Sequence, residues 1–328
     1  MKIAVIGSGG WGTSVAVMLA KKGYDIWLWS YIQEETDRLN RDRENKEFLP
    51  GVSFPDNITC SHDAQKCVTD AALVITAPPS PATRVTAKTI AQHIADGQIV
   101  MNISKGLEEK SLLTLSQVYA EEIPQAQIAV MSGPSHAEEV SRSLPSTNVV
   151  AAKTLDTAKK NQDKMKSDTF RVYTSTDILG VELGGALKNV IALCAGISDG
   201  LGYGDNTKAA LMTRGLAEIA RLGCAMGAKS ETFMGLSGLG DLIVTCTSMH
   251  SRNRRAGILL GKGKKLQDAL NEVHMVVVGV NTATAAYELS RKYGVEMPIV
   301  EEAYAILFKD KNAGEAVMSL MTREKKEE

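Results

Sequence analysis

The chain is poor in the features that narrow a function quickly. Aromatic residues make up 5% of its 328 residues, and 37 Lys plus Arg nearly balance 38 Asp plus Glu, for a net charge of −1. An extended nucleic-acid binder needs a broad positive field and an acidic disordered chain needs excess negative charge, so both classes are excluded. A local cationic site for one small anion is not. The five cysteines, Cys60, Cys67, Cys194, Cys224 and Cys246, are odd in number and lack CxxC spacing. That pattern predicts reduced thiols in a cytoplasmic protein rather than a disulfide framework, with Cys194 and Cys224 among apolar residues. His136 has no second histidine nearby and no HExxH pattern exists, so no metal site is expected. Walker A and G-x-S-x-G sequences are also missing, which weakens NTPase and hydrolase readings. No secretory signal is legible behind Lys2. No stretch is read as approaching the roughly 18 apolar residues of a membrane span.

What is present is an ordinary globular composition, 44% hydrophobic and 23% charged, long enough for two domains or one large α/β domain. In the first half, short apolar runs alternate with amphipathic stretches. Strands are predicted at Ile3–Ile6, Asp25–Trp29, Ala72–Thr76, Ile99–Ile103 and Ile128–Met131, with Asn148–Ala152 and Phe170–Thr174 as extensions. Helices are predicted at Gly12–Lys22, Ala82–Ile94 and Leu112–Glu122. This alternation implies a doubly wound, Rossmann-type α/β sheet over residues 1–177. From residue 178 to 328 helical patterns dominate: Ile178–Ser198, Asn206–Met226, Lys265–Asn271, Thr282–Tyr293 and Ile299–Leu307, with Met275–Val280 the one strand-like run. The second domain is therefore expected to be all-α, with a frayed, charged tail at Arg323–Glu328.

Gly7-Ser8-Gly9-Gly10-Trp11-Gly12 reads G-x-G-x-x-G between a predicted strand and a predicted helix, the context in which the pattern binds a dinucleotide. Gly7 permits the tight turn, Gly9 the approach of a pyrophosphate, and Gly12 the close packing of helix on strand. The helix N-terminus then offers free N–H groups to the anion. An acid at the end of the second strand holds the ribose hydroxyls in NAD sites. Here that place is Ser30-Tyr31, with Arg38 and Arg41 nearby. Without an acid a 2′-phosphate is not repelled, which leans towards NADPH or dual use of NADP and NAD.

Leu183–Ser198 reads LGGALKNVIALCAGIS, and Lys188 is its one formal charge. An unpaired buried ammonium is expensive. Gly184, Gly185, Ala192 and Ala195 share its helix face, a smooth surface for another backbone or a ligand. Desolvation disfavours the charged form of an ammonium and suits it to proton transfer. Lys105 ends another strand, where doubly wound sheets bind ligands. In Ser132–Glu138, Ser135 and Glu138 fit a capping box at a helix start that can also hold substrate oxygens. Gly235–Asp241 is a second glycine-rich segment, too apolar for a solvent loop; its carboxylate, Asp241, is suited to hold and tune a lysine. Ser251-Arg252-Asn253-Arg254-Arg255 offers guanidinium forks that match phosphate oxygens, although Arg254 and Arg255 read more simply as a solvated helix start.

Taken together, GSGGWGTSVA at 7–16, NISKGLE at 102–108, SGPSHAEEV at 132–140, GVELGGALKNVIALCAGISDGLG at 180–202, NTKAALMTRG at 206–215, FMGLSGLGDLIVTC at 233–246 and SRNRR at 251–255 resemble the bacterial-type NAD(P)-dependent glycerol-3-phosphate dehydrogenases over nearly the whole chain. The resemblance implies reversible reduction of dihydroxyacetone phosphate to sn-glycerol 3-phosphate, supplying phospholipid synthesis, in a cytoplasmic homodimer with no nucleic-acid partner and no stable membrane insertion. By position, Lys188 matches the family's proton donor or acceptor, and Lys105 contacts cofactor and substrate. Gly133, Ser135, Asp241, Ser251, Arg252 and Asn253 match substrate positions; Gly10, Trp11, Ala137 and Arg252 match cofactor positions; Thr245 belongs to the active-site network. Two positions depart from the pattern. Tyr31, followed by Ile32, stands where the family has Arg in W-x-R, and the late V-V-E-G segment reads Val276-Val277-Val278-Gly279, so Val278 replaces a cofactor-contacting glutamate. A β-hydroxyacid dehydrogenase or ketopantoate-type reductase shares this architecture, but Asp241 and the SRN segment suit a phosphorylated substrate. A nicotinamide sensor without catalysis does not need Lys188 and Asp241.

Overall fold

The computed structural model describes residues 1–273 and 276–324. The described residues fall into two compact units: residues 1–108 with 113–181, and residues 109–112 with the described part of 182–328. In the first unit, eight strands form one sheet: β1 (Lys2–Ile6), β2 (Asp25–Trp29), β3 (Ile58–Ser61), β4 (Val74–Thr76), β5 (Ile99–Asn102), β6 (Gln127–Ser132), β7 (Ser146–Ala152) and β8 (Phe170–Ser175). Their order is β3-β2-β1-β4-β5-β6-β7-β8. All neighbours are parallel except β6 and β7.

Ile3–Ile6 of β1 is an unbroken apolar run because both faces of the strand are covered. Ile3 and Val5 join one buried cluster, together with Val15 and Leu19 of helix α1 (Gly10–Lys21). Ala4 and Ile6 join the other, with Ala87 and Ile90. The register then aligns strand ends. Ile6 lies opposite both Trp29 and Thr76, and Thr76 lies opposite Asn102. The loops that follow β1, β2, β4 and β5 therefore leave one edge of the sheet side by side. The strand order reverses between β1 and β4, the switch point at which such sheets place a ligand.

The second unit is helical. Its principal helices are Ile178–Gly200 (which begins in the first unit), Asp205–Ala225, Arg252–Gly261, Val278–Tyr293 and Pro298–Phe308. Two of them meet through glycine. A Cβ on Gly196 would lie 2.0 Å from the Arg254 carbonyl oxygen, and one on Gly257 would lie 2.1 Å from that of Leu193. Gly200 and Gly261 repeat the arrangement one turn on, with Cβ positions 2.4 Å from the Ile258 oxygen and 2.3 Å from the Ile197 oxygen.

Several expectations change. The strand-like run Met275–Val280 is not a strand: the helix Val278–Tyr293 begins within it, and Met275 lies outside the described residues, as does the tail at 325–328. One stretch does reach membrane length, since Ile178–Gly200 has a mean hydropathy of 1.6 over its best window. That window is 89% buried within the protein, so the apolar surface is spent on packing. Cys224 is exposed rather than set among apolar neighbours. The helix expected from Leu112 starts at Leu115, because Leu112 adopts φ +61°, outside the helical region.

Candidate active site

The turn after β1 has the geometry of an anion cradle. Gly7 sits at φ +120°, and a Cβ there would lie 2.8 Å from the backbone of Ala77, so only glycine is free of strain. A Cβ on Gly12 would lie 2.0 Å from the Gly7 oxygen, which is the close helix–strand approach the fingerprint needs. Gly9 differs: nothing lies within 4 Å of its Cβ position. It is the N-cap of α1 and no side chain caps that helix. The free N–H groups at this end fit a pyrophosphate, so the residues present suit a dinucleotide. Gly10 is pinned from outside, with its Cβ position 2.7 Å from the Phe48 oxygen. The Trp11 indole donates to the Ile103 oxygen at 3.1 Å, tying the turn to the loop after β5.

Sequence reasoning found no acid at the end of β2, but the fold supplies one. Glu35, in the first turn of helix α2 (Gln33–Asp42), is reached by the Ser8 hydroxyl at 2.9 Å and by the Ser30 hydroxyl. The signal was present as an acid five residues beyond Ser30, but a helix must turn it back before it counts. Tyr31 and Ile32 are 78% and 54% exposed.

The next loops add polar groups. Lys105 donates from Nζ to the Gly133 oxygen at 3.1 Å, and the Ser135 hydroxyl donates to the same oxygen at 2.9 Å. Gly133 needs φ +151° and packs on Asn148, whose Oδ1 is 3.0 Å from its Cβ position. The expected capping box is absent. His136 is the N-cap of the short helix Ala137–Ser141, and Ser135 is turned back to Gly133. Ala137 opens that helix, and its oxygen accepts from Ser14 of α1 at 2.9 Å.

In the second unit, Lys188 donates to Asp241 Oδ1 at 2.6 Å and to the Thr245 hydroxyl at 2.5 Å. The lysine and aspartate side chains are 5% and 1% exposed. Thr245 in turn donates to the Asp241 backbone oxygen at 2.6 Å, one turn along the helix Asp241–Thr247. The small residues beside Lys188 receive another backbone: a Cβ on Gly184 would lie 2.7 Å from the Ser237 oxygen. The second glycine-rich segment, a wide turn at Leu236–Gly240, packs there and delivers Asp241.

Asn253 is buried and bridges two elements. Its Nδ2 donates to Asn189 Oδ1 at 2.9 Å, and its Oδ1 accepts from Gly279 N–H at 2.8 Å. Ser251 caps the helix Arg252–Gly261 by accepting from Arg254 N–H, while Arg252 is half-buried at its first position. Arg254 is not solvated as expected: its Nε–H donates to Asp199 at 2.8 Å and its side chain is 14% exposed, whereas Arg255 is exposed. Val276 is exposed and Val278 half-buried at the start of the helix Val278–Tyr293. Among the described residues, no group of His, Cys, Asp and Glu is placed to hold a metal ion.

Residues 2–158 and 177–318 match the family models described as the NAD-dependent glycerol-3-phosphate dehydrogenase N-terminus and C-terminus. The chain belongs to this dehydrogenase family. A glycerol-3-phosphate dehydrogenase from Fusobacterium nucleatum, named as using NAD(P)+, is 52% identical over 99% of this chain and 98% of its own length. One from Moorella thermoacetica is 55% identical over 98% of this chain and 96% of its own. The crystal structure of the Coxiella burnetii glycerol-3-phosphate dehydrogenase superposes with a TM-score of 0.95 at 36% identity, covering 98% of this chain and 99% of that one. A ketopantoate reductase from Ralstonia eutropha shares the fold at a TM-score of 0.63 but only 14% identity, over 97% of this chain and 100% of that one.

Proposed function

We propose that this chain interconverts dihydroxyacetone phosphate and sn-glycerol 3-phosphate, as an NAD(P)-dependent oxidoreductase acting on a CH–OH group. The buried Lys188–Asp241 pair, with Lys188 the one charge of the apolar run Leu183–Ser198, carries the reading, because an ion pair sealed from water is a poor source of stability and a good proton-transfer device. When bound, a nicotinamide cofactor supplies or accepts the hydride at C2 of the substrate. Lys188 gives a proton from Nζ to the developing C2 alkoxide, and in the reverse direction removes one. Asp241 and Thr245 hold the ammonium in place through its hydrogen bonds. Lys188 and Lys105 stabilise the charge on the oxygen.

Arg252 and Asn253 hold the substrate phosphate, with Ser251, Gly133 and Ser135 lining the substrate, so that binding energy away from the reacting carbon orients it. Gly7, Gly9, Gly10, Trp11 and Gly12 hold the cofactor, with Tyr31, Lys105, Ala137, Arg252, Val276 and Val278 completing its contacts. The enzyme acts as a cytoplasmic homodimer that feeds phospholipid synthesis, with no nucleic-acid partner and no stable membrane insertion. This rests on the family resemblance and on the balanced charge of the chain.

The test is oxidation of NADH and NADPH, followed with dihydroxyacetone phosphate and then with ketopantoate. Turnover with the phosphorylated ketone is expected. Turnover with ketopantoate alone would move the chain to the reductase class, and tight nucleotide binding without turnover would make it a sensor.

A further inference from the structure

We propose that Glu35 selects the cofactor, favouring NADH over NADPH. The proposal rests on the reading of the glycine turn as a nucleotide site. Glu35 holds one carboxylate oxygen against Ser8 of that turn and the other against Ser30 at the end of β2. In a doubly wound sheet the adenosine ribose lies between these two places, and an acid there accepts from the ribose hydroxyls. A carboxylate has about four lone-pair sites and two serines fill only two, which leaves room for a ribose 2′-OH. A 2′-phosphate has no hydroxyl to offer and adds roughly −1.5 to −2 charge beside the carboxylate.

The positive side chains along helix α2 and just after it make contacts of their own rather than pairing with Glu35. Arg38 pairs with Glu47 at 2.9 Å, Arg41 with Asp42 at 2.9 Å, and Lys46 with Asp42 at 3.1 Å. Arg43 donates to the backbone oxygens of Ile58 and Pro55 at 2.7 and 2.6 Å. The strand-end position itself carries Tyr31, a neutral and exposed side chain. Glu35 is also fixed from both sides. Ser8 is 7% exposed and Ser30 1% exposed, and the Ser8 backbone oxygen accepts from Asn45 Nδ2 at 2.7 Å and Thr13 Oγ1 at 3.0 Å. The carboxylate is thus part of the turn rather than a loose surface group.

The experiment compares the wild type with Glu35→Gln, which keeps the shape and removes the charge. Steady-state rates with dihydroxyacetone phosphate are measured with NADH and with NADPH, and both nucleotides are titrated by fluorescence without substrate. The wild type is expected to prefer NADH by about tenfold or more, the factor that corresponds to ~1.4 kcal/mol. E35Q is expected to narrow that ratio mainly by improving NADPH, a change that loss of a merely structural contact would not produce. Equal use of the two nucleotides by the wild type overturns the proposal, as does an unchanged ratio in E35Q. If E35Q does not fold, the wild-type ratio alone decides. If the wild type turns over neither nucleotide, the functional reading fails while the titrations still judge Glu35.

Discussion

Lys188 and Asp241 are 53 residues apart in sequence and 2.6 Å apart in space, on two helices that together leave almost nothing of either side chain in contact with solvent. Removing one partner strands the other as an uncompensated buried charge, which costs about 3–5 kcal/mol. Lys188→Ala should therefore lower the melting temperature as well as the rate. Turnover should fall by at least about a hundredfold, the lower range for a positioned proton donor, with NADH affinity nearly unchanged. Asp241→Asn should retain more stability and still lose most activity. Steady-state rates beside a nucleotide titration separate the two effects, and near-normal turnover of K188A would remove the lysine from the chemistry.

The glycines of the first turn should respond oppositely to the same substitution. Gly9 has φ −63° and open space at its Cβ position, so Gly9→Ala should fold with stability equal to the wild type or higher by up to ~1 kcal/mol. Its methyl group occupies the face offered to the pyrophosphate, and nucleotide affinity should fall. Gly7→Ala, at φ +120° and against the Ala77 backbone, should lose roughly 1–3 kcal/mol of stability. Urea unfolding and fluorescence titration of both variants check the contrast; a G9A protein that binds NADH normally would argue against a pyrophosphate at this turn.

Glu218 gives a pH signature. Its carboxylate accepts from the N–H groups of Ile299 and Val300 at the start of Pro298–Phe308. Burial outweighs these bonds and raises its pKa from 4.5 to about 7. The unfolded chain releases this proton near 4.5 and the folded chain near 7, so its contribution to stability is fully present below 4.5. It is lost as pH rises through that window, on the order of 3 kcal/mol in all. Glu218→Gln should remove this slope. Unfolding free energies of wild type and E218Q at pH 5 and 7.5 measure it, and parallel profiles would contradict the assignment.

The glycine seam should be intolerant. Gly257→Ala places a methyl group 2.1 Å from the Leu193 oxygen and should cost about 1–3 kcal/mol or more through overpacking. Gly204→Ala, at φ −89° with nothing within 4 Å, should be nearly neutral. Thermal melts of the two variants suffice; equal melting points would mean the helices separate without penalty.

The parallel core of the sheet was legible because strands covered on both faces are written as continuous apolar runs, as in Ile3–Ile6. β3 was not, since its four residues, ITCS, alternate at an edge. Helix α2 was missed for the same reason: only Thr36 and Leu39 are buried along it. Lys188 announced itself by isolation in an apolar run, and Asp241 by closing an apolar glycine segment. The Asn189–Asn253–Gly279 bridge left no such mark, because it joins three distant segments through one amide and one backbone N–H. Glu35 stayed hidden because an acid in an acidic helix start reads as dipole complement, and only the fold returns it to Ser8.

The apolar helix Ile178–Gly200 has a consequence for the chain before it folds. Emerging from the ribosome, it presents 23 residues with the length and hydropathy of a membrane span. Near the middle stands Lys188, and an ammonium at a span's centre opposes insertion by ~2.5–3.5 kcal/mol. The side chain we propose as the proton donor would thus also oppose passage of the nascent helix into lipid.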